Sequence, residues 1–218
     1  MLAPTEAIGF QPLFKEKPYL PAMARIVRIQ RMVENNYLFT LRFLDDELAR
    51  GFHYQPGQFV MLSVPGTGEA PISISSTPSR PGVLELCVRR VGRLTDALFR
   101  CSTNDLVGIR GPYGNGFPLD RMAGNDLLIA AGGLGMAPLR SLLWYALDHR
   151  DRFGKITLMC GARTPQDMLF REELVSLLDT RELSCLLTVD TDPGGAWAHH
   201  LGVLPKLFDY AEIGRAHV

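Results

Sequence analysis

Residues 111–125, GPYGNGFPLDRMAGN, separate two different sequence patterns. Before this stretch, short alternating runs such as QFVMLSV (residues 58–64) and VLELCVRRV (residues 83–91) are divided by turns rich in glycine and proline. Short strands at this spacing are typical of an all-β barrel or sandwich. After it, buried-strand patterns such as DLLIAAGG (residues 126–133) alternate with helical periodicity, which predicts a parallel sheet with helical crossovers. The sequence therefore predicts a β domain followed by an α/β domain.

The change of pattern also gives the domain boundaries. Residues 1–22 are rich in proline and lack periodicity, so we expect an N-terminal arm. The β domain is predicted over residues 23–118 and the α/β domain over residues 119–211. Residues 212–218, EIGRAHV, resemble a read-through translation of a common sequencing adapter, so we expect an artefactual tail there. A genuine short tail is the alternative.

The α/β domain is expected to be incomplete. Its strand patterns are DLLIAAGG, KITLMCGAR and LSCLLTVDT, and its helical patterns are MAPLRSLLWYALDHR, DMLFREELVSLLD and LGVLPKLFDY. Three strands are fewer than the roughly four or five of a doubly wound sheet, so we expect truncation. Within the second helix, Glu172 and Glu173 look like a solvated face, and Asp167 is a candidate cap. In the β domain, a short helix is expected at TDALFR, with Thr95 as its N-cap.

Composition excludes several function classes. The formal net charge is +0, which gives no overall attraction to nucleic acid or to an anionic membrane. No apolar run is long enough to span a bilayer, and the N-terminus lacks the apolar core of a signal peptide, so we expect a cytoplasmic location without membrane insertion. The four cysteines lie far apart and are expected to be reduced, mostly buried thiols, with no metal site.

A glycine-rich turn follows the first strand of the α/β domain. In LLIAAGGLGMAPLRSLL, Gly132, Gly133 and Gly135 stand between a buried strand and a helix whose first turn holds Pro138. Glycines let the backbone approach a ligand, and the free N–H groups of a helix start attract phosphate. The context suits a dinucleotide site, although the motif's third glycine is absent. The alternative is an ordinary tight turn.

A second glycine lies in VRRVGRLTDAL, inside the β domain. Gly92 permits close approach of a ligand, Thr95 supplies a hydroxyl, and Arg89 adds positive charge. This combination predicts a diphosphate cradle. Without the second domain, a capped turn with solvated arginines is the better interpretation.

Three further positions are candidates for ligand contact. The alternating stretch GEAPISISSTP (residues 68–78) carries small hydroxyls that could face a strand, a bulge or a flat ligand. Arg163 follows the second strand and is placed to reach a phosphate or a ribose. Asp190 ends the third strand, where a carboxylate can bind a ribose and repel a 2′-phosphate, which mildly favours NAD over NADP. The alternative for Asp190 is a turn starter.

Taken in order, YQPGQFVML, PISISS, GRLTDAL, GPYGNGF, IAAGGLGMAPLRSLL, GARTPQDMLFREEL and TVD resemble the ferredoxin-NADP reductase superfamily. Within it, EAPISISS and PYLPAMARIVRI are most similar to the flavin (gamma) subunit of cytoplasmic nickel-iron hydrogenases. The B subunit of anaerobic sulfite reductase and the electron-transfer subunit of dihydroorotate dehydrogenase are close behind. This resemblance implies a Greek-key antiparallel β-barrel that binds FAD, followed by an incomplete Rossmann-like parallel α/β domain that binds NAD(P)H.

The resemblance also implies a set of cofactor-binding residues and no catalytic side chain, because the cofactors themselves exchange the hydride. On the flavin side the implied residues are Pro71, Ile72, Ser73, Ile74, Ser75, Gly92 and Thr95, with Arg89 or Arg93 as a substitute phosphate contact. On the nicotinamide side they are Gly132, Gly133, Gly135, Met136, Pro138, Gly161, Ala162, Arg163 and Asp190.

The chain departs from the family pattern in three places. Ala70 and Ile72 stand where the family usually has arginine and tyrosine, which keeps FMN open as the flavin. The later CGP strand is missing, and so is the cysteine-rich tail that binds a [2Fe-2S] cluster in the most similar subfamilies. The implied function is electron transfer from NAD(P)H through FAD to an iron-sulfur carrier or a hydrogenase- or sulfite-reductase-like partner subunit. A stand-alone reductase and a flavin-binding docking fragment are the alternatives.

Overall fold

The computed structural model describes residues 19–211, which form two sheets of different kinds. The predictions for most of the N-terminal arm and for the tail at residues 212–218 lie outside this range. Within it, no helix is long and apolar enough to cross a membrane. The predicted fold class, an antiparallel barrel followed by a parallel α/β unit, is confirmed. The domain boundary predicted near Phe117–Asp120 stays a prediction.

The first sheet is a six-stranded antiparallel barrel. Its spatial order is β4-β3-β6-β1-β2-β5, and a bridge between Ile74 and Leu86 joins the two outer strands. Strand β3 alternates apolar residues toward the interior, at Val60, Leu62 and Val64, which explains why its sequence pattern has a period of two. The strands are β1 (Ala22–Val33), β2 (Asn36–Phe43), β3 (Phe59–Val64), β4 (Gly68–Ser73), β5 (Leu84–Arg89) and β6 (Leu106–Tyr113). Two short helices accompany them, α1 (Asp46–Gly51) and α2 (Arg93–Leu98).

The second sheet is parallel, in the order β10-β9-β8-β7. The interior strand β8 is buried almost throughout, because it has neighbours on both sides, and this produces its continuous apolar run. The strands are β7 (Leu127–Gly132), β8 (Ile156–Ala162), β9 (Ser184–Val189) and β10 (His200–Leu201). The helices are α3 (Leu119–Met122), α4 (Met136–Asp148) and α5 (Arg171–Ser176), with 3₁₀ turns at Gly133–Gly135, Arg150–Arg152, Pro165–Asp167 and Leu204–Asp209.

Several sequence expectations for the α/β domain are wrong in detail. The sheet has a fourth strand, β10, whose two residues are too few to give a periodic signal. The helix expected at residues 201–210 is divided between this strand and a 3₁₀ helix that begins just before Pro205. The second helix starts only at Arg171, because the preceding Met168, Leu169 and Phe170 are buried in the apolar core.

Two predicted helix caps are also wrong. The N-cap of α2 is Gly92, and Thr95 is the third helical residue, whose hydroxyl accepts hydrogen bonds from the N–H of Val91 and of Gly92. Asp167 lies in a 3₁₀ turn and accepts a hydrogen bond from the Thr164 hydroxyl, so it does not cap α5.

The outward faces of β2 and β5 form the contact between the two domains. Alternate residues of these strands pair across the ladder, as Thr40 with Glu85, Leu38 with Cys87, and Asn36 with Arg89. Leu38 and Cys87 pack into the same apolar cluster as the core of the α/β domain. The interface therefore has a charged end at Glu85, an apolar middle at Leu38 and Cys87, and a polar end at Asn36 and Arg89.

Candidate functional site

A cleft of about 370 Å³ opens at the polar end of this interface. On the barrel side it is lined by residues 33–36, which form the β1–β2 turn, and by Arg89. On the other side it is lined by residues 132–134, 161–163 and Asp190, which lie at the carboxyl ends of β7, β8 and β9. Ligands of open α/β sheets bind at this edge, so the cleft is the candidate site.

The glycine turn forms the floor of the cleft. A Cβ built on Gly132, Gly133 or Gly135 would meet no atom within 4 Å, so the space above the turn is open. Gly133 has a φ of +50°, in the left-handed region that favours glycine. Helix α4 begins directly after Gly135, and its first N–H groups lack partners within the helix. The turn therefore offers backbone donors to an anion.

Three of the implied nicotinamide-side residues, Gly135, Met136 and Pro138, lie outside the cleft lining. Met136 is fully buried in the apolar core, so its side chain packs there and offers no surface to a ligand. Pro138 is half-buried in the first turn of α4 and is not part of the lining. Met136 and Pro138 shape the start of the helix.

The ends of β8 and β9 carry the polar side chains of the sheet side. The Asp190 N–H donates to the Ala162 carbonyl over 2.9 Å, which brings Arg163 and Asp190 together at the rim. Neither side chain makes a hydrogen bond or ion pair with any residue in the range 19–211. Gly161 lines the cleft and also has a packing role, because a Cβ there would lie 3.1 Å from the Leu204 Cβ.

The barrel contributes residues that the sequence did not reveal. Val33, Glu34, Asn35 and Asn36 reach the cleft from the β1–β2 turn. Arg89, which the resemblance groups with the flavin diphosphate, lines the same cleft as the glycine turn. Its side chain is without a hydrogen-bond or ion-pair partner in the described part of the chain. The period of two in LELCVRR places Glu85, Cys87 and Arg89 on one face of the strand. It does not show which domain that face contacts.

The implied flavin segment is only partly accessible. Pro71 is exposed, and Ile72 and Ser73 are half-buried at the end of β4. Ile74 and Ser75 have no exposed surface, so these two residues have nothing to offer a ligand in this conformation. Strand β4 ends at Ser73 because the following segment turns inward toward β5.

The serine hydroxyls after β4 bind the protein itself. The Ser75 Oγ accepts a hydrogen bond from the Cys87 N–H over 3.3 Å. The Ser76 Oγ accepts one from the Glu85 N–H over 3.0 Å and one from the Tyr54 hydroxyl over 2.9 Å. Burial raises the pKa of Tyr54 to about 12, so the phenol stays a donor. The row of small hydroxyls therefore closes the barrel between β4 and β5.

The Gly92 loop lies beside the start of β4. Gly92 is extended and exposed, and a Cβ there would meet nothing within 4 Å. The Thr95 hydroxyl donates to the Gly92 carbonyl over 2.9 Å and is buried, so Thr95 shapes the loop from below. Arg93 donates to the Thr67 carbonyl over 3.1 Å, which ties the loop to the turn before β4. The open loop at the start of β4 and the accessible residues 71–73 at its end lie along one strand, which suits an extended ligand such as a dinucleotide flavin.

The other end of the interface is closed by Arg140 of α4. Its guanidinium donates to the carboxylates of Glu85 and Glu173, at 2.7 and 2.9 Å, and to the Ser75 carbonyl at 2.9 Å. Burial alone lowers the pKa of Arg140, but the hydrogen bonds and charges of the two glutamates outweigh it and raise the pKa above its ordinary value. Glu173 is therefore not part of a solvated face, whereas Glu172 is exposed.

A second ion pair joins the domains at the far end of α4. Arg80 of the barrel pairs with Asp148, and the guanidinium lies 4.3 Å from the ring centroid of Trp144. Burial raises the pKa of Asp148, but hydrogen bonds from Arg80 and Ser79 outweigh it and bring the pKa below its ordinary value. Arg80 is half-exposed, so this pair is the weaker of the two.

Comparison with known proteins agrees with this geometry. Residues 24–117 match the oxidoreductase FAD-binding domain family, and residues 128–212 match the oxidoreductase NAD-binding domain family. The chain carries the domains of these two families and has a ferredoxin-NADP reductase-like fold. The predicted resemblance, the two cofactor-binding domains and the oxidoreductase class are confirmed by these matches.

Two of the relatives that the chain resembles are named as enzyme subunits. The chain is 48% identical over 169 residues to sulfhydrogenase 2 subunit gamma of Pyrococcus furiosus, covering 77% of this chain and 58% of that protein. It is 35% identical over 166 residues to a probable dihydroorotate dehydrogenase B electron transfer subunit of the same organism, covering 75% and 60%. The chain thus spans less than two thirds of the length of these relatives.

Solved structures share the fold. The ferredoxin reductase in carbazole 1,9a-dioxygenase superposes with a TM-score of 0.70 at 20% identity, over 87% of this chain and 56% of that one. An Amycolatopsis cytochrome P450 reductase gives a TM-score of 0.71 at 25% identity, over 86% and 57%.

Proposed function

We propose that this chain is a flavin-dependent electron-transfer module, in which FAD is held by the barrel and NAD(P)H by the cleft. The observation that carries the proposal is the cleft itself, because it is built from the glycine turn of one domain and from Arg89 of the other. When both cofactors are bound, a hydride leaves the nicotinamide C4 as two electrons and a proton and is taken up at the flavin N5, so NAD(P)H is oxidised and FAD is reduced.

The residues of the cleft bind and orient the nucleotide. The backbone N–H groups of Gly133–Gly135 and the guanidinium of Arg89 are suited to the two sides of a diphosphate. Donors from both domains would hold the diphosphate from two sides and so fix its position in the cleft. Holding two reactants in a fixed relative orientation is itself a large contribution to rate, so no acid or base is needed in the cleft.

FAD is proposed to lie against the accessible end of β4. Pro71, Ile72 and Ser73 would contact the ring, and the open backbone at Gly92 would receive the diphosphate. The buried Ile74, Ser75 and Thr95 would act as the support beneath this surface. The open loop adjoins the start of β4 and the accessible residues lie at its end, so one extended ligand would have to follow the strand.

The rim of the cleft favours NADH over NADPH. Asp190 and Asp167 bring two carboxylates to the sheet side, beside the single guanidinium of Arg163. A 2′-phosphate at this rim would be repelled by the carboxylates, whereas a ribose hydroxyl could donate to Asp190. We therefore propose NADH as the preferred nucleotide.

The partner is proposed to be an iron-sulfur carrier or a hydrogenase- or sulfite-reductase-like subunit in the cytoplasm. This proposal follows from the gamma-subunit relatives, which are parts of hydrogenase complexes. A stand-alone reductase is the second candidate, because the chain is also 32% identical over 215 residues to the reductase component of propane 2-monooxygenase of Rhodococcus jostii. Among residues 19–211, no group of three or more His, Cys, Asp or Glu side chains could hold a metal ion.

The test is an anaerobic absorbance spectrum of the purified, FAD-loaded chain, before and after NADH and then NADPH. Flavin bands that bleach with NADH, and more slowly with NADPH, are expected. Bound flavin that NADH fails to bleach would leave a docking fragment, and no bound flavin after incubation with FAD would contradict the proposal. Reduction of an added ferredoxin without a partner subunit would favour the stand-alone reductase.

A further inference from the structure

Arg140 connects the helix that follows the glycine turn to the strand segment that follows the proposed flavin surface. It lies one turn into α4, five residues after Gly135. Its side chain keeps only 12% of its surface exposed. A buried arginine at this point is costly unless its donors are satisfied, so its partners define its role.

The donors of Arg140 are divided between the two domains. Nη1 donates to the Ser75 carbonyl at 2.9 Å and to Glu85 Oε2 at 2.7 Å, both in the barrel. Nε donates to Glu173 Oε1 at 2.9 Å, and Nη2 donates to Glu173 Oε2 at 3.0 Å, in the α/β domain. One planar group therefore binds both domains at fixed angles, which an ammonium group cannot reproduce.

The two glutamates are held in place by other parts of the structure. The Trp144 indole N–H donates to Glu173 over 2.7 Å, which fixes the carboxylate that orients the guanidinium plane. The Ser75 N–H donates to the Glu85 carbonyl over 2.8 Å, so Ser75 is bound to the protein through both its N–H and its carbonyl. The segment directly after β4 has little freedom to shift relative to α4.

We propose that Arg140 is a positioning residue for hydride transfer, which sets the distance between the nicotinamide in the cleft and the flavin on β4. The proposal rests on the proposed function. Arg140 touches neither cofactor site and acts through Ser75 on one side and through α4 on the other. Because a misplacement of about 1 Å can cost on the order of a hundredfold in rate, a small shift of α4 is enough to slow the transfer.

The test compares Arg140→Lys with Arg80→Lys, a matched change at the second ion pair of the same interface. The readouts are the bound FAD, the dissociation constant for NADH, and the limiting rate constant of anaerobic flavin reduction at saturating NADH. Arg140→Lys keeps the charge but loses the forked geometry, so we expect the limiting rate constant to fall about tenfold or more. We expect its FAD content and NADH affinity to stay within about twofold of the wild type, and Arg80→Lys to leave all three readouts unchanged.

Two results would overturn the proposal. One is a limiting rate constant for Arg140→Lys within twofold of the wild type. The other is a rate loss matched by an equal loss of FAD or NADH binding, since that would make Arg140 a structural residue alone. The assay temperature is set below the melting temperature of each variant. If the wild type itself is not reduced by NADH, the proposed function is wrong and this inference falls with it.

Discussion

The two ends of the domain interface differ in how their charged groups are satisfied. Glu85 and Arg89 lie four residues apart on the same outward face of β5. At the first end, Glu85, Glu173 and Arg140 form a buried network in which each charge has a partner. At the second end, Arg89 has no partner among residues 19–211 and faces glycines above which the space is open.

This difference separates a structural contact from a binding site. A buried charge must be paired within the protein, because desolvation otherwise costs several kcal/mol, so the Arg140 end has no capacity left for a ligand. An unpaired arginine beside an open glycine turn has hydrogen-bond donors that are available to a ligand. The closed end therefore holds the domains together, and we propose that the open end is where both domains bind the nucleotide.

The largest expected effect is at the closed end. Glu173→Ala removes the acceptor of Arg140 Nε and Nη2 and of the Trp144 indole N–H. Breaking a buried pair in this way should lower the free energy of unfolding by about 3 kcal/mol, measured by urea denaturation. The matched control is Glu172→Ala at the neighbouring residue. The Glu172 side chain is exposed, so this substitution should lower the free energy of unfolding by less than about 0.5 kcal/mol. Equal losses in the two variants would remove the distinction between the two ends.

At the open end, Arg89→Ala should change binding and leave stability intact. Loss of a charge-assisted hydrogen bond to phosphate is expected to raise the NADH dissociation constant about tenfold to a hundredfold, measured by isothermal titration calorimetry. Bound FAD and the melting temperature should not change, because the side chain has no partner within the described residues. Arg90→Ala is the control, since Arg90 pairs with Asp96 at 2.7 Å and does not line the cleft. Equal weakening by both variants would show a general charge effect.

The smallest expected effect concerns the half-exposed pair of Arg80 and Asp148. The pKa of Asp148 is lowered in the folded protein, so the pair stabilises the fold above the carboxyl's unfolded pKa and loses this contribution as the pH falls through the folded pKa. Asp148→Asn should therefore cost about 1 kcal/mol at pH 7 and nothing at pH values below the folded pKa. Melting temperatures of both proteins across the acid range would check this. A difference that persists at the lowest pH would assign the effect to the hydrogen bonds of Asp148 alone.

Local patterns predicted most of the fold. The period of two in β3 and β5 follows directly from burial on one face, and the glycine turn after β7 is legible because strand, turn and helix are contiguous in sequence. Strand β10 was missed because two residues have no period. The helix expected from residue 167 was too long because the buried run Met168–Phe170 gives the same apolar signal whether it is helical or extended.

Less of the candidate site than of the fold could be predicted from the sequence. Arg89 and Asn36 come together through the pairing of β2 with β5, which links residues far apart in sequence. Sequence periodicity shows which residues of a strand share a face. It shows neither which strand pairs with it nor which element covers that face. The resemblance supplied the flavin segment, yet the burial of Ile74 and Ser75 depends on the inward turn after β4, which no local pattern marks.

The central claim is that one nucleotide is bound by both domains at the open end of the interface. Hydrogen–deuterium exchange of the FAD-loaded chain, with and without saturating NAD⁺, tests it most directly. If both domains bind the nucleotide, exchange should slow in peptides covering residues 33–36 and residues 132–135 together, with no change at residues 75–80 beside the closed end. Slower exchange confined to residues 132–135 and their own domain, with the β1–β2 turn unaffected, would contradict it.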